Sequence, residues 1–277
     1  MTVVKLTFYG TAACEGWPGL FCNCELCNTA RILKGKNIRT RSQALINDDL
    51  LIDLTPDTNM HSLVYGLDLS KVSDALITHS HSDHFYPSDI ELLREPFAHN
   101  RSNTFHVYGN NVVKEMIWRA VPDIANVESN FSFHYAKPFE PIAIKDYIVV
   151  PLLALHDKKE ECLFYQVTQN NKTILYAHDT GAFPEETMKY LNSHKVHLDL
   201  VSLDCTTGSQ EDGKNHMGLI DAFKEKQRLI DHGLGDENTV WIVNHFSHNG
   251  LWLHDRLVEE AAKYGFLVSY DGMVVEF

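Results

Sequence analysis

The stretch Thr78-His79-Ser80-His81-Ser82-Asp83-His84 puts three histidines and an aspartate on one short segment. Neutral imidazole and carboxylate are the ligand types that borderline divalent cations such as zinc, manganese and iron prefer. The run follows a short apolar strand, Ala75–Thr78. A tight loop after a strand lets several of these side chains converge on one small volume, which is what a metal needs. A solvated surface loop has no physical reason to be so dense in ligands.

Working outward, strand signals surround the run. Val3–Tyr9 alternates apolar and polar residues; Gln43–Ile46 and Leu50–Leu54 flank the turn-prone Asn47-Asp48-Asp49 and predict a hairpin. Past the run, Ser88 with Glu91 fits a capping box ahead of Ile90, Leu92 and Leu93, with Pro96 as the stop, so a short helix is expected. Strand Thr104–Tyr108 and helix Val112–Ala120 come next, then strands Tyr147–Leu155, Leu163–Thr168 and Thr173–Ala177. The last quarter alternates helices Glu185–Asn192, Gly218–Ile230 and Asp255–Tyr264 with strands Leu198–Leu203 and Thr239–Val243, ending on a hairpin at Asp271-Gly272. There is no repeat, low-complexity tract or Pro/Ser-rich linker. Two blocks of strands, each followed by helices, predict an α/β (α+β) four-layer αββα sandwich, with residues 1–277 as a single domain.

The pattern His-x-His-x-Asp-His after a buried strand resembles the signature of the metallo-β-lactamase superfamily. The resemblance extends along the chain, because an earlier position of the family matches Asp53 and later ones match His156, Asp179 and His245, each at a strand end. It implies that His79, His81 and His156 hold one divalent cation and Asp83, His84 and His245 a second, with Asp179 bridging them. Asp53 would orient the ligating histidines from behind. Two such cations, roughly 3.5–4 Å apart, acidify a shared water and clamp the attacked centre, so hydrolysis is the implied chemistry. Zinc, manganese and iron all suit the ligands. His178, beside Asp179, is left outside the site.

Cys22-x-Cys24-x-x-Cys27 supplies three thiols on one loop, and His248, three residues past His245, is the candidate fourth ligand of a structural zinc. Together with the His-rich run and the late His-x-x-His, this loop resembles the PhnP-type phosphodiesterase of the carbon–phosphorus lyase pathway, whose members hydrolyse cyclic and linear phosphodiesters. The Cys-rich segment with Arg39-Thr40-Arg41-Ser42-Gln43 also resembles relatives in coenzyme-PQQ biosynthesis, which often lack an intact metal-binding run. Cys14, Cys162 and Cys205 read as small apolar residues.

Asn215-His216-Met217-Gly218 precedes a helical stretch, and a histidine at a helix entrance sits where unpaired N–H groups and the positive dipole end welcome phosphate. His216 is therefore the candidate acid for a leaving alkoxide, and the phosphodiesterase relatives place a functional histidine at a similar point. Asp83, His216 and Asp53 form the catalytic expectation.

The net charge of -13 repels polyanions, so long nucleic acid is not expected and a small phosphodiester is the implied substrate. Lys34, Lys36, Arg39 and Arg41 form the one basic cluster and read as a solvated loop. The opening Met1–Leu6 lacks the basic and long apolar regions of a signal peptide, and no stretch reaches the roughly 20 apolar residues of a membrane span. A cytoplasmic protein, with a homodimer as the base-rate oligomer, is the expectation. Beside the phosphodiesterase, three readings stay open: a tRNA 3′-processing nuclease, a lactone, β-lactam or thioester hydrolase, and a non-catalytic carrier.

Overall fold

The computed structural model describes residues 3–121 and 123–277; Met1 and Thr2, at the start of the opening segment, lie outside them. In chain order the strands are β1 (Lys5–Gly10), β2 (Gln43–Ile46), β3 (Leu50–Ile52), β4 (Asp74–Leu76), β5 (Phe105–Gly109), β6 (Phe131–Tyr135), β7 (Ile142–Ile144), β8 (Tyr147–Leu153), β9 (Leu163–Gln169), β10 (Lys172–Ala177), β11 (Leu200–Asp204), β12 (Val240–Asn244), β13 (Leu267–Val268) and β14 (Met273–Glu276). The α-helices are α1 (Glu25–Leu33), α2 (Thr58–Tyr65), α3 (Asn111–Ala120), α4 (Glu185–His194), α5 (Leu219–Asp231) and α6 (His254–Ala262).

Two seven-stranded sheets form, in the orders β14-β1-β2-β3-β4-β5-β6 and β13-β12-β11-β10-β9-β8-β7. Between them lies a core that includes Phe8, Ile52, Tyr147, Tyr165 and Tyr176. Burial of each such side chain contributes roughly 1.5–3 kcal/mol. A second cluster joins the other face of the second sheet to α4, α5 and α6, and a third covers the first sheet with α3 and the turn Pro87–Leu93. This is the four-layer αββα sandwich. Each sheet begins as an antiparallel meander and continues as parallel strands, β3 to β6 and β10 to β13. Ligand crevices in α/β sheets open at the carboxyl ends of parallel strands, and the site described below lies there.

Several local expectations need correction. The Asp271-Gly272 turn joins no hairpin: it hands the chain from β13 in one sheet to β14 in the other, where β14 pairs with β1. The segment after the His-rich run is a 3-10 helix, Pro87–Leu93, entered at Tyr86 with Pro87 in its first turn and without a Ser88 cap. β1 is buried along nearly its whole length, because the partner sheet covers one face and other elements the other. The basic cluster is not a uniformly solvated loop. Arg39 is buried, donating to Thr11 Oγ1, the Ser269 carbonyl and His254 Nδ1, and Arg41 forms a two-pronged pair with Asp57.

Beside Arg39, Asp271 accepts from Thr11 Oγ1 and Thr40 N, and the Thr40 hydroxyl lies 2.6 Å from Asp271 Oδ2 and 2.7 Å from His61 Nε2. His61 Nδ1 donates to Gln43 Oε1 at 2.6 Å. This buried chain of polar groups fastens the loop that follows β1. Ala13 N in turn bonds the Phe246 carbonyl, and Phe246 N the Thr11 carbonyl, tying that loop to the segment after β12.

Candidate metal centre

The site is built from strand ends of both sheets. Asp53 follows β3, His79–His84 follow β4, His156 follows β8, Asp179 follows β10, Asp204 ends β11 and His245 follows β12. At Asp53, Asp179 and His245 the backbone is left-handed, with φ of 65°, 48° and 65°. That conformation costs a non-glycine residue about 1–3 kcal/mol and persists only where the surroundings over-determine it. The loop before His216 packs against Asp179 because residue 181 is glycine: a Cβ there would come within 2.2 Å of the Lys214 carbonyl oxygen.

His79, His81 and His156 bring three ligand atoms together, and Asp83, His84, Asp179 and His245 bring four. In the first group His81 Nδ1 and His156 Nε2 stand 3.2 Å apart. Their other nitrogens are engaged: His156 Nδ1 donates to the Asn215 carbonyl and His81 Nε2 faces Asp157. This is how outer partners fix the tautomer of a ligating histidine. In the second group His84 Nδ1 donates to Asp53 at 2.6 Å, and His84 Nε2 points at His245 Nε2 (3.2 Å) and Asp179 Oδ2 (2.5 Å). Asp179 touches both groups, its Oδ2 also 3.5 Å from His79 Nε2 and its Oδ1 3.4 Å from His245 Nδ1.

Two observations test whether cations fit. His79 Nε2 is buried, faces the cluster and has no hydrogen-bond partner among the described residues. A buried polar atom without a partner costs roughly 1–3 kcal/mol, which a metal bond would remove. Secondly, Asp53, Asp83, Asp179 and Asp204 are all buried together. Burial lowers the pKa of His84, but Asp179, Asp83 and Asp53 outweigh it and hold the imidazole well above its usual range. The donor set therefore fits divalent cations.

Asp204 was not legible in the sequence. It accepts from Asp179 N, Thr206 N, Thr206 Oγ1 and Met217 N, and lies 3.3 Å from His216 Nδ1. Burial lowers the pKa of His216, but Asp204 and Asp179 overcome it and raise it to about 9. The phosphate seat expected at the start of α5 is narrowed, because three of the N–H groups there are paired within the protein. Met217 N bonds Asp204, Gly218 N bonds Asp221 and Leu219 N bonds the Gly208 carbonyl, so those donors are already taken. Glu160 was also missed. It accepts from Ser80 N, Ser80 Oγ and Asn110 Nδ2, pinning the loop between His79 and His81. His178 bonds Ser202 and Asn244 and belongs to neither ligand group.

Cys22, Cys24, Cys27 and His248 form a separate group of converging ligand atoms. His248 Nδ1 lies 3.6 Å from Cys24 Sγ and 3.9 Å from Cys22 Sγ. Cys24 caps α1, its sulfur accepting from Cys27 N, and this backbone bond leads the causes that lower its pKa to about 6 despite partial desolvation. Burial pushes Cys27 up to about 12. All six cysteines are free, and Cys162 and Cys205 are buried as expected. Cys14 is not: it is exposed at the wall of the cavity over the His/Asp cluster. That cavity measures about 440 Å³ and is bordered by His81, Asp83, Asp179, His216 and Glu15 among others.

A buried His/Asp cluster at the strand ends of an αββα sandwich defines a metal-binding hydrolase fold. The chain belongs to the metallo-β-lactamase superfamily: the Beta-lactamase superfamily domain matches residues 49–232. No curated protein matches the sequence. Among solved structures, a diphosphatase from the PhnP family is similar at 20% identity and TM-score 0.76, over 100% of this chain and 98% of that one. The metallo-beta-lactamase fold protein YhfI from Bacillus subtilis is similar at 18% identity and TM-score 0.70, over 100% of both chains. Zinc-bound PqqB from Methylobacterium extorquens follows at 15% identity and TM-score 0.69, covering 98% of this chain and 99% of that one. At these identities the likeness is one of fold.

Proposed function

We propose that this protein hydrolyses small phosphodiesters at a centre of two divalent cations, zinc, manganese or iron, with a third, structural zinc at the Cys/His group. The observation that carries this reading is the position of Asp179, whose two oxygens lie within 3.5 Å of His79, His84, His245 and His216. Cations bound there supply an acidified water and offset charge on the phosphoryl oxygens. The chain's own groups do the rest. Asp53 and Asn215 hold His84 and His156 in the tautomers that leave Nε2 free. Asp204 accepts from His216 Nδ1 and so orients the ring, and the remaining nitrogen serves the cavity, where it protonates the departing alkoxide. The cavity admits a small substrate, and the charge of -13 disfavours a long polyanion.

A second reading is hydrolysis of a lactone or thioester on the same centre, since the pairing of Met217 N, Gly218 N and Leu219 N within the protein weakens the case for phosphate at the start of α5. A hydrolysis panel with the metal-loaded protein separates the two: bis(p-nitrophenyl) phosphate, a 2′,3′-cyclic nucleotide, a lactone and a thioester. Diester turnover is expected. Turnover of the lactone alone would sink the phosphodiesterase reading.

A further inference from the structure

Beside the catalytic cavity lies a second one, of about 450 Å³, and both are walled by Cys14 and Glu15. Leu20 and Phe21 line this second space. Phe21 is 97% exposed and Leu20 77%, the highest among the large apolar side chains of the loop between β1 and α1. Such exposure costs solvation free energy that the fold does not recover. The loop is nonetheless pinned at close intervals. Leu20 N bonds the Glu15 carbonyl, Cys22 N the Gly19 carbonyl and Gly19 N the Cys27 sulfur, while Arg31 grips the Cys22 carbonyl. The backbone on both sides of Phe21 is thus fixed, and its ring borders a cavity that shares Cys14 and Glu15 with the reaction cavity, which places apolar surface within reach of a ligand there.

We infer that this second cavity is the seat for one ester substituent of the substrate, and that the substituent it takes is uncharged and apolar, preferably aromatic. The inference rests on the phosphodiesterase reading. A diester anchored at the His/Asp cluster can extend one organic group past Cys14 and Glu15, which the two cavities share, toward the space that Phe21 borders. Charge decides the rest. Glu15 stands at the junction and accepts from Ser247 Oγ and from Cys14 Sγ at 3.5 Å, with His248 Nε2 at 3.6 Å. The only cationic side chain bordering the second cavity, among the described residues, is Arg41, and its guanidinium is already committed to Asp57 through two 2.9 Å bonds. A substituent carrying a carboxylate or a second phosphate meets Glu15, and the nearest cationic side chain, Arg41, already has its charge balanced by Asp57.

The test is calorimetric binding of phenylphosphonate, methylphosphonate and 4-carboxyphenylphosphonate to the metal-loaded full chain, its Phe21→Ala variant and its Glu15→Gln variant. Phenylphosphonate is expected to bind roughly tenfold more tightly than methylphosphonate, the range of an aromatic contact. Phe21→Ala should bring that ratio close to one. The variant folds, since Phe21 contributes nothing to the core. The carboxylated ligand should bind more weakly than the phenyl ligand, and Glu15→Gln should narrow that gap. An unchanged phenyl-to-methyl ratio in Phe21→Ala, with diester turnover intact, overturns the subsite alone. Failure of the wild type to bind any phosphonate or turn over any diester removes the phosphodiesterase reading and the subsite with it. A changed oligomeric state in Phe21→Ala, read by light scattering, assigns the loop to contact between copies and likewise overturns the subsite.

Discussion

The two groups of ligand-type side chains are built in opposite ways. The His/Asp cluster collects its members from the ends of β4, β8, β10 and β12, so it exists only once both sheets have closed on each other. The thiol group takes three members from the single segment Cys22–Cys27 and only His248 from far away. The first geometry is a property of the sandwich and is secured by outer partners such as Asp53, Asn215 and Thr206. The second is a local loop that gains a distant anchor. A cation at the first would act in a frame that is already set; a cation at the second would hold one wall of the cavity in place.

Breaking the centre of the first group has the largest expected effect. Asp179→Asn keeps the side-chain shape and removes the charge shared by both halves, so kcat/KM should fall at least about 10³-fold, roughly 4 kcal/mol. Metal analysis alongside steady-state kinetics checks this, and activity within tenfold of wild type would remove Asp179 from the centre. Asp204→Asn acts through His216 and should lower kcat about 10–100-fold with little change in KM. It has a pH signature too. Asp204 raises the pKa of His216, so the variant's activity should decline at lower pH on the alkaline side than the wild type's.

Cys24→Ser probes the other side of the comparison. It should release one equivalent of zinc, lower the melting temperature and reduce activity only about tenfold, because it loosens a wall without touching the reacting atoms. A loss as deep as that of Asp179→Asn would mean that the two groups act as one site.

The smallest effect on turnover is expected at the polar chain that fastens the loop between the two groups. Burial lowers His61 from 6.5 to about 4, so the stability from its neutral form is complete above pH 6.5 and is lost as pH falls toward 4. Burial raises Asp271 from 3.8 to about 6, so the stability from its proton is complete below pH 3.8 and is lost as pH rises through 6. The two nearly offset across this window. Asp271→Asn leaves His61 uncompensated, and relative to wild type the variant should lose roughly 3 kcal/mol between pH 6.5 and pH 4, read as a falling Tm.

The sandwich was legible because its strands alternate or run apolar at lengths that strands use, and because the His-rich run marks a strand end. The strands β6 and β7 were missed: β7 is only three residues long, and β6, although Phe131–Tyr135 alternates apolar and polar, is a five-residue segment that stays half-exposed along most of its length. α1 was read as loop, since its buried face amounts to Cys27 and Ala30. In the candidate site, residues of ligand type in a recognisable order could be read off. Asp204 and Glu160 could not, because a lone carboxylate gains its role only from donors that the fold brings up, such as Met217 N, 13 residues away, or Asn110, 50 residues away. The start of α5 shows the same limit in reverse. The sequence locates N–H groups there, and only the packed structure reveals that Asp204, Asp221 and Gly208 have claimed those of Met217, Gly218 and Leu219.

The left-handed backbone at Asp53, Asp179 and His245 bears on how this chain would respond to selection. At each position a glycine would relax the main chain, and at the two aspartates it would also withdraw a buried charge. The most heat-resistant sequences for this fold therefore lie in the direction of an inert protein. A library screened for thermal survival alone should accumulate replacements at 53, 179 and 245, and recovering robust variants that still turn over substrate requires both properties to be scored together.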